Sequence, residues 1–84
     1  MMLTTRPGHP GTIILRGFWN NVAADLPGYL RRAKATEGVK LIEAVISSNQ
    51  RTARAPLLAN GFEEAITFYN PNSHNQCTIF YYHL

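Results

Sequence analysis

The chain has a single cysteine, Cys77, so no disulfide framework is available within it. Lys and Arg are missing from the whole stretch after Arg54, and charged residues make up only 15% of the sequence against 45% hydrophobic. No apolar run is long enough to cross a bilayer or to act as the core of a signal peptide. The best, TIILRGFW, is short and is broken by Arg16 and Gly17. Internal repeats and a linker are absent too, as are a Ser-His-Asp pattern, a carboxylate dyad and a phosphate-binding P-loop. These absences exclude a disulfide-stapled scaffold and a helical membrane protein, and they leave no obvious catalytic constellation. The expectation is a cytoplasmic protein with no membrane association.

What is present fits one small α/β domain. Eighty-four residues bury only a modest core. A composition this apolar is not that of a disordered chain. It also leaves few charges to cover the outside, which predicts a protein partner or a homo-oligomer. The formal charge is +3, and all eight Lys and Arg lie between Arg6 and Arg54. So small an excess reads as solubilising charge, and nucleic acid is not an expected partner. A small nucleic-acid-binding domain stays as a second alternative, one that predicts salt-sensitive binding through Arg31 and Arg32.

Along the chain, residues 1–11 carry Pro7, Gly8, Pro10 and Gly11 in close succession and read as a flexible N-terminal arm. Residues 12–84 form the single domain. TIILRGF, residues 12–18, is β-branched and predicts a strand. Phe18, Trp19, Val22, Ala23, Leu26, Tyr29, Leu30 and Ala33 then recur at helical spacing. Pro27 interrupts them, which predicts a kinked helix or a fresh start at Asp25. VKLIEAVIS, residues 39–47, is a nearly continuous apolar run and predicts a strand buried on both faces. Ser48 or Asn49 would cap a short second helix. Its inner face would be Ala53, Leu57 and Leu58, Pro56 would shorten it to residues 55–60 or kink it, and Asn60-Gly61 would stop it. EEAITFY and CTIFYYHL, joined by the turn-forming NPNSHNQ, predict an antiparallel hairpin. The order is β-α-β-α-β-β, which implies a mixed sheet. Strands joined by helices are expected to run parallel, and residues 63–69 to lie beside residues 39–47.

This order, together with LIEAVISSNQRTARAPLLANGFEEAITFY, resembles the C-terminal half of the GNAT N-acetyltransferase fold. Asn49, Gly61, Phe62 and Glu63 match the family's Asn after a buried strand and the Gly-Phe-acidic run after the next helix. The resemblance implies a fold in which two parallel strands splay apart and pair with the pantetheine arm of acetyl-CoA. In that fold, amides at a helix N-terminus hold the pyrophosphate. A tyrosine on the next helix often protonates the leaving thiolate.

The functional motifs depart from the family. RPGHPG, residues 6–11, keeps only part of the glycine-rich phosphate motif and precedes the strand instead of following it. Phe18 and Trp19 stand where small residues would let backbone approach phosphate. No Tyr lies between Asn49 and Gly61, and the front half of the family's domain has no counterpart.

The expectation is therefore a degenerate, non-catalytic GNAT-like module that acts through protein contacts, with no catalytic residue and no bound cofactor. Its abbreviated form suggests a phage protein, in the virion or the host cytoplasm. The alternative is an acetyl-CoA-dependent N-acetyltransferase completed by a partner chain. In that case Asn49, Arg51 and Arg54 are the candidate cofactor-binding residues. The bland readings are a helix cap for Asn49, and solvent or a pair with Glu37 or Glu43 for the two arginines. His74, Cys77 and His83 offer three metal ligands with no fourth, so no metal site is nominated. The aromatic hairpin reads as core or protein interface.

Overall fold

A computed structural model describes residues 2–16 and 22–84. Five strands form one mixed sheet: β1 (Met2–Arg6), β2 (His9–Arg16), β3 (Leu41–Ser47), β4 (Glu63–Asn70) and β5 (Asn75–His83). Helix α1 (Val22–Ala35) joins β2 to β3. A 3-10 segment (Ser48–Ala53) running into α2 (Arg54–Ala59) joins β3 to β4. The strand order is β1-β2-β3-β5-β4. The class is α/β with a mixed sheet, as the sequence predicts, with one strand more than expected at the front.

That extra strand corrects the flexible arm. Met2–Arg6 pairs antiparallel with β2, and Pro7-Gly8 turns the chain between them. Gly8 has φ +75°, so the Pro-Gly order supplies the two conformations that a type II turn requires. Such a turn twists against the strands it joins. The ladder slips accordingly: Thr5 pairs with Ile13 but Arg6 with His9. Pro10 falls in this irregularity and ahead of Thr12, the first β2 residue to pair with β3. Its missing N–H therefore costs no ladder bond. The proline and glycine that argue for an arm in fact make a hairpin and its bulge.

Helix α1 begins at Val22 and runs through Pro27 as one element, so of the two expectations the fresh start at Asp25 does not occur. Leu26, Leu30 and Ala33 of its predicted apolar face are buried. Phe18 and Trp19 lie outside the described residues. Gly38, at φ +84°, turns the chain toward β3.

β2 and β3 pair in parallel, Thr12 with Leu41 through Leu15 with Ala44. β3 and β4 also point the same way, but they are not neighbours as expected: β5 lies between them, antiparallel to both. The hairpin from β4 folds back into the open edge of β3, which takes β5 as its partner from Leu41↔His83 to Ser47↔Cys77.

The registers sort the sheet into two faces. Ile13, Leu15, Ile42, Ala44, Ile46 and Phe80 share one face and are buried with Leu26, Leu30, Ala33, Ala53, Leu57 and Phe62 of the helices and their ends. This is the core. Leu58 is 38% exposed and does not belong to it, contrary to expectation. Successive side chains on an α-helix point about 100° apart, so burying Leu57 turns Leu58 outward. β3 is likewise not buried on both faces, since Leu41 and Val45 are only half-buried on the side away from the helices. Glu43 shares that side and is 7% exposed.

Pro56 stands third in α2, where its missing donor would have no partner in any case. The helix ends in a Schellman motif, with Phe62 N–H donating to Leu57 O at 3.0 Å and Gly61 N–H to Leu58 O at 3.1 Å. Gly61 takes the left-handed conformation the motif needs, φ +96°. Buried Phe62 then packs on Tyr82 with ring centroids 5.3 Å apart.

Candidate functional site

The parallel pair β2–β3 ends unevenly. β2 gives its last partner at Leu15, opposite Ala44, while β3 continues through Val45, Ile46 and Ser47. Among the described residues no strand pairs with this extension on the β2 side, although β5 pairs with it on the other. A β-strand with one free edge presents backbone donors and acceptors to whatever lies alongside. The chain turns immediately afterward into the segment that holds the three nominated side chains.

Ser47, not Ser48 or Asn49, caps this segment. Gln50 reaches back, its Oε1 accepting from Ser47 N–H at 2.9 Å and lying 3.0 Å from Ser47 Oγ. Asn49 Oδ1 also lies against Ser47 Oγ. Asn49 thus sits one step inside the turn, held by the capping serine and exposed on its outer side. Ser47 supplies the Ser-x-x-Gln capping pattern, which the sequence shows as S47-S48-N49-Q50.

Arg51 and Arg54 come together elsewhere, at the rim of a cleft of about 290 Å³ between this segment and the β4–β5 hairpin. Asn49 does not line it. The cleft floor is apolar, with Ile46 and Phe80, and Ser47, Ser48, Thr67 and Thr78 add hydroxyls. Thr67 and Thr78 stand opposite each other in the β4–β5 ladder, their oxygens 3.1 Å apart. Arg54 Nε donates to Glu64 Oε2 at 3.0 Å across the cleft. That hydrogen bond and the carboxylate charge raise the Arg54 guanidinium above its ordinary range. Arg51 Nε donates to Ser48 O at 3.2 Å, and no carboxylate pairs with Arg51 among the described residues. Of the two arginines, Arg51 is the one available to an anion.

The expected alternatives for these charges resolve differently. Glu43 pairs with Arg6, not with Arg51 or Arg54, and Arg54 pairs with Glu64, a partner the sequence reading does not consider. Strict alternation along β4 would set Glu64 on the face of Ile66 and Phe68, and it is the bulge between Glu64 and Ile66 that turns it to the helix face, opposite Phe80. Arg31 and Arg32 are exposed on α1, Arg32 lying 4.9 Å over the Tyr29 ring. RPGHPG forms the β1–β2 turn and the start of β2, at the opposite end of that strand from the uneven edge. Among the described residues no three His, Cys, Asp or Glu side chains gather where they could hold a metal. No described helix is long and apolar enough to cross a membrane.

No protein-family model matches the sequence. No curated protein matches it either. Among solved structures the chain is similar to one described as a "putative phosphinothricin N-acetyltransferase", with a TM-score of 0.66 and 18% sequence identity. The similarity covers 96% of this chain and 55% of that one, so the chain spans about half the length of the structure it matches. At this identity the likeness concerns the fold alone. The described residues form a mixed five-stranded α/β architecture with two α-helices, and it is that of half a GNAT-like acetyltransferase fold.

Proposed function

We propose that this half-domain is a non-catalytic GNAT-like module that works through protein contacts. The observation that supports the reading is the bare side of the sheet. Both helices pack into the single core on one face. On the other, Ile14, Leu41, Val45, Ile79 and Tyr81 are only half-buried, and Ile66 and Phe68 are 58% and 38% exposed. A sheet is stable when each apolar face is covered by a layer, and a contiguous exposed apolar patch marks a contact surface. The missing general-acid tyrosine and the incomplete phosphate motif support the absence of chemistry. The setting we propose is a phage virion or host cytoplasm, on the strength of the abbreviated fold, and mass spectrometry of purified virions tests it.

Solution mass tests the contact reading directly. A chain that remains monomeric alone and in its source extract, and whose behaviour is unchanged by Val45→Glu or Ile79→Glu, would overturn it.

A second reading has its own support. The extension of β3 at Val45–Ser47, which no described strand pairs with on the β2 side, suits an acetyl-CoA-dependent N-acetyltransferase whose other half comes from a partner chain. Isothermal titration with acetyl-CoA separates the two. Micromolar binding that is lost in Arg51→Ala or Asn49→Ala favours the enzyme, and absence of binding favours the contact module.

A further inference from the structure

The sheet has two edges, and they differ in kind. β1 presents Thr4 and Thr5, with Leu3 turned to the core and Arg6 tied to Glu43. β4 pairs with β5 on one side only, and its residues from Glu63 to Tyr69 are all exposed. Natural edge strands are guarded by lysine, proline or strong bulges. β4 contains no Lys, Arg or Pro, and its one bulge lies at its beginning, between Glu64 and Ile66. Beyond that bulge the strand is regular to Asn70. Five large hydrophobic side chains are exposed among the described residues, and three of them, Ile66, Phe68 and Tyr69, lie on this strand.

We propose that β4 pairs antiparallel with β4 of a second copy of this chain, about a two-fold axis through Thr67, and joins two five-stranded sheets into one. The proposal rests on the contact reading above and names its partner.

The sequence of β4 selects this register. A two-fold axis normal to a sheet sets residues of the same face opposite each other. With Thr67 on the axis, Ile66 meets the partner's Phe68 on both sides of the axis, within the regular stretch beyond the bulge. Ile66 and Phe68, the exposed apolar side chains of the bare face, then each face an apolar one, and cross-strand pairs of this kind are the unit of sheet stabilisation. Moving the axis to Ile66 sets Phe68 and Tyr69 against the partner's bulge at Glu64 and Ala65, outside the regular strand. Moving it to Phe68 sets Ile66 against the partner's Asn70. In the Thr67 register the bulge keeps Glu64 outside the regular pairs, and Arg54 already neutralises it. No like charges meet. The Ile66–Phe68 clusters extend the bare apolar face across the axis, so the dimer presents one broad surface.

Light scattering coupled to size exclusion gives the test. The expected mass is twice the 9.4 kDa of one chain at micromolar concentration. Phe68→Lys should return it to one chain with unchanged circular dichroism, and Thr67→Pro should do the same by removing a donor at the axis. Thr67→Cys in a Cys77→Ser background provides a reading that does not depend on how Thr67→Pro folds: it should form a disulfide-linked dimer under mild oxidation. A wild-type monomer with no such cross-link overturns the proposal. So does a dimer that survives Phe68→Lys but is broken by Val45→Glu, an outcome that leaves the broader contact reading standing.

Discussion

Arg6 Nη1 donates to Glu43 Oε2 at 2.8 Å, and the pair ties the β1–β2 hairpin to the central strand β3. Glu43 is buried to 7% exposure, whereas Arg6 is partly open to solvent. Removing the arginine leaves an unpaired carboxylate in a largely dry position, whereas removing both ends leaves none. Arg6→Ala should therefore destabilise by about 1–2 kcal/mol. The double variant Arg6→Ala/Glu43→Leu should recover part of that loss. Urea midpoints for the two variants check this, and equal losses would count against it.

Gly61 combines a left-handed backbone with close packing. A Cβ there would meet the Tyr82 ring at 3.0 Å, and φ is +96°. Gly61→Ala should cost about 1–2 kcal/mol, from the strained backbone together with displacement of Tyr82. Gly8→Ala, at φ +75° with nothing near its Cβ position, should cost less. Thermal melts of the pair compare strain with and without a clash.

Leu57 and Leu58 are adjacent and chemically identical, but one is fully buried and the other 38% exposed. Leu57→Ala should lower stability by about 2–5 kcal/mol through lost transfer energy and a residual cavity. Leu58→Ala should change it by less than about 0.5 kcal/mol. Denaturant titration should reveal the gap, and similar effects would mean that α2 is rotated about its axis.

Pro27 lies inside α1, where proline deletes a backbone bond and crowds the preceding turn. Pro27→Ala should raise stability by about 1–3 kcal/mol, read as an increase in Tm and in helical circular dichroism. A loss of stability would show that the ring's packing outweighs its backbone cost.

Much of this architecture could be read from residue patterns. The alternation of CTIFYYHL places Cys77 and Phe80 on opposite faces, and the register agrees. Asn60-Gly61 gives the end of α2 because few residues other than glycine adopt the conformation required there. Local signals mislead where two of them act at once. Pro7, Gly8, Pro10 and Gly11 look like a disordered arm, but a turn needs the first two and a bulge absorbs the others. Sheet order was hidden for another reason. Which strand fills the edge of β3 depends on hairpin pairing at long range, and no periodicity within β4 or β5 encodes it. The Arg54–Glu64 bridge was obscured by the same gap, because its two residues meet only once that order is known.

The position of β5 bears on how the molecule assembles. It comes after every other strand in the chain yet occupies the slot between β3 and β4. Until residues 75–83 arrive, β3 and β4 face one another across a missing row, and no intermediate built from the earlier segments can close the sheet. Long-range contacts of this kind slow folding. A nascent chain stalled before Asn75 would expose two unpaired rims at once, a state that chaperones or premature self-association would compete to capture.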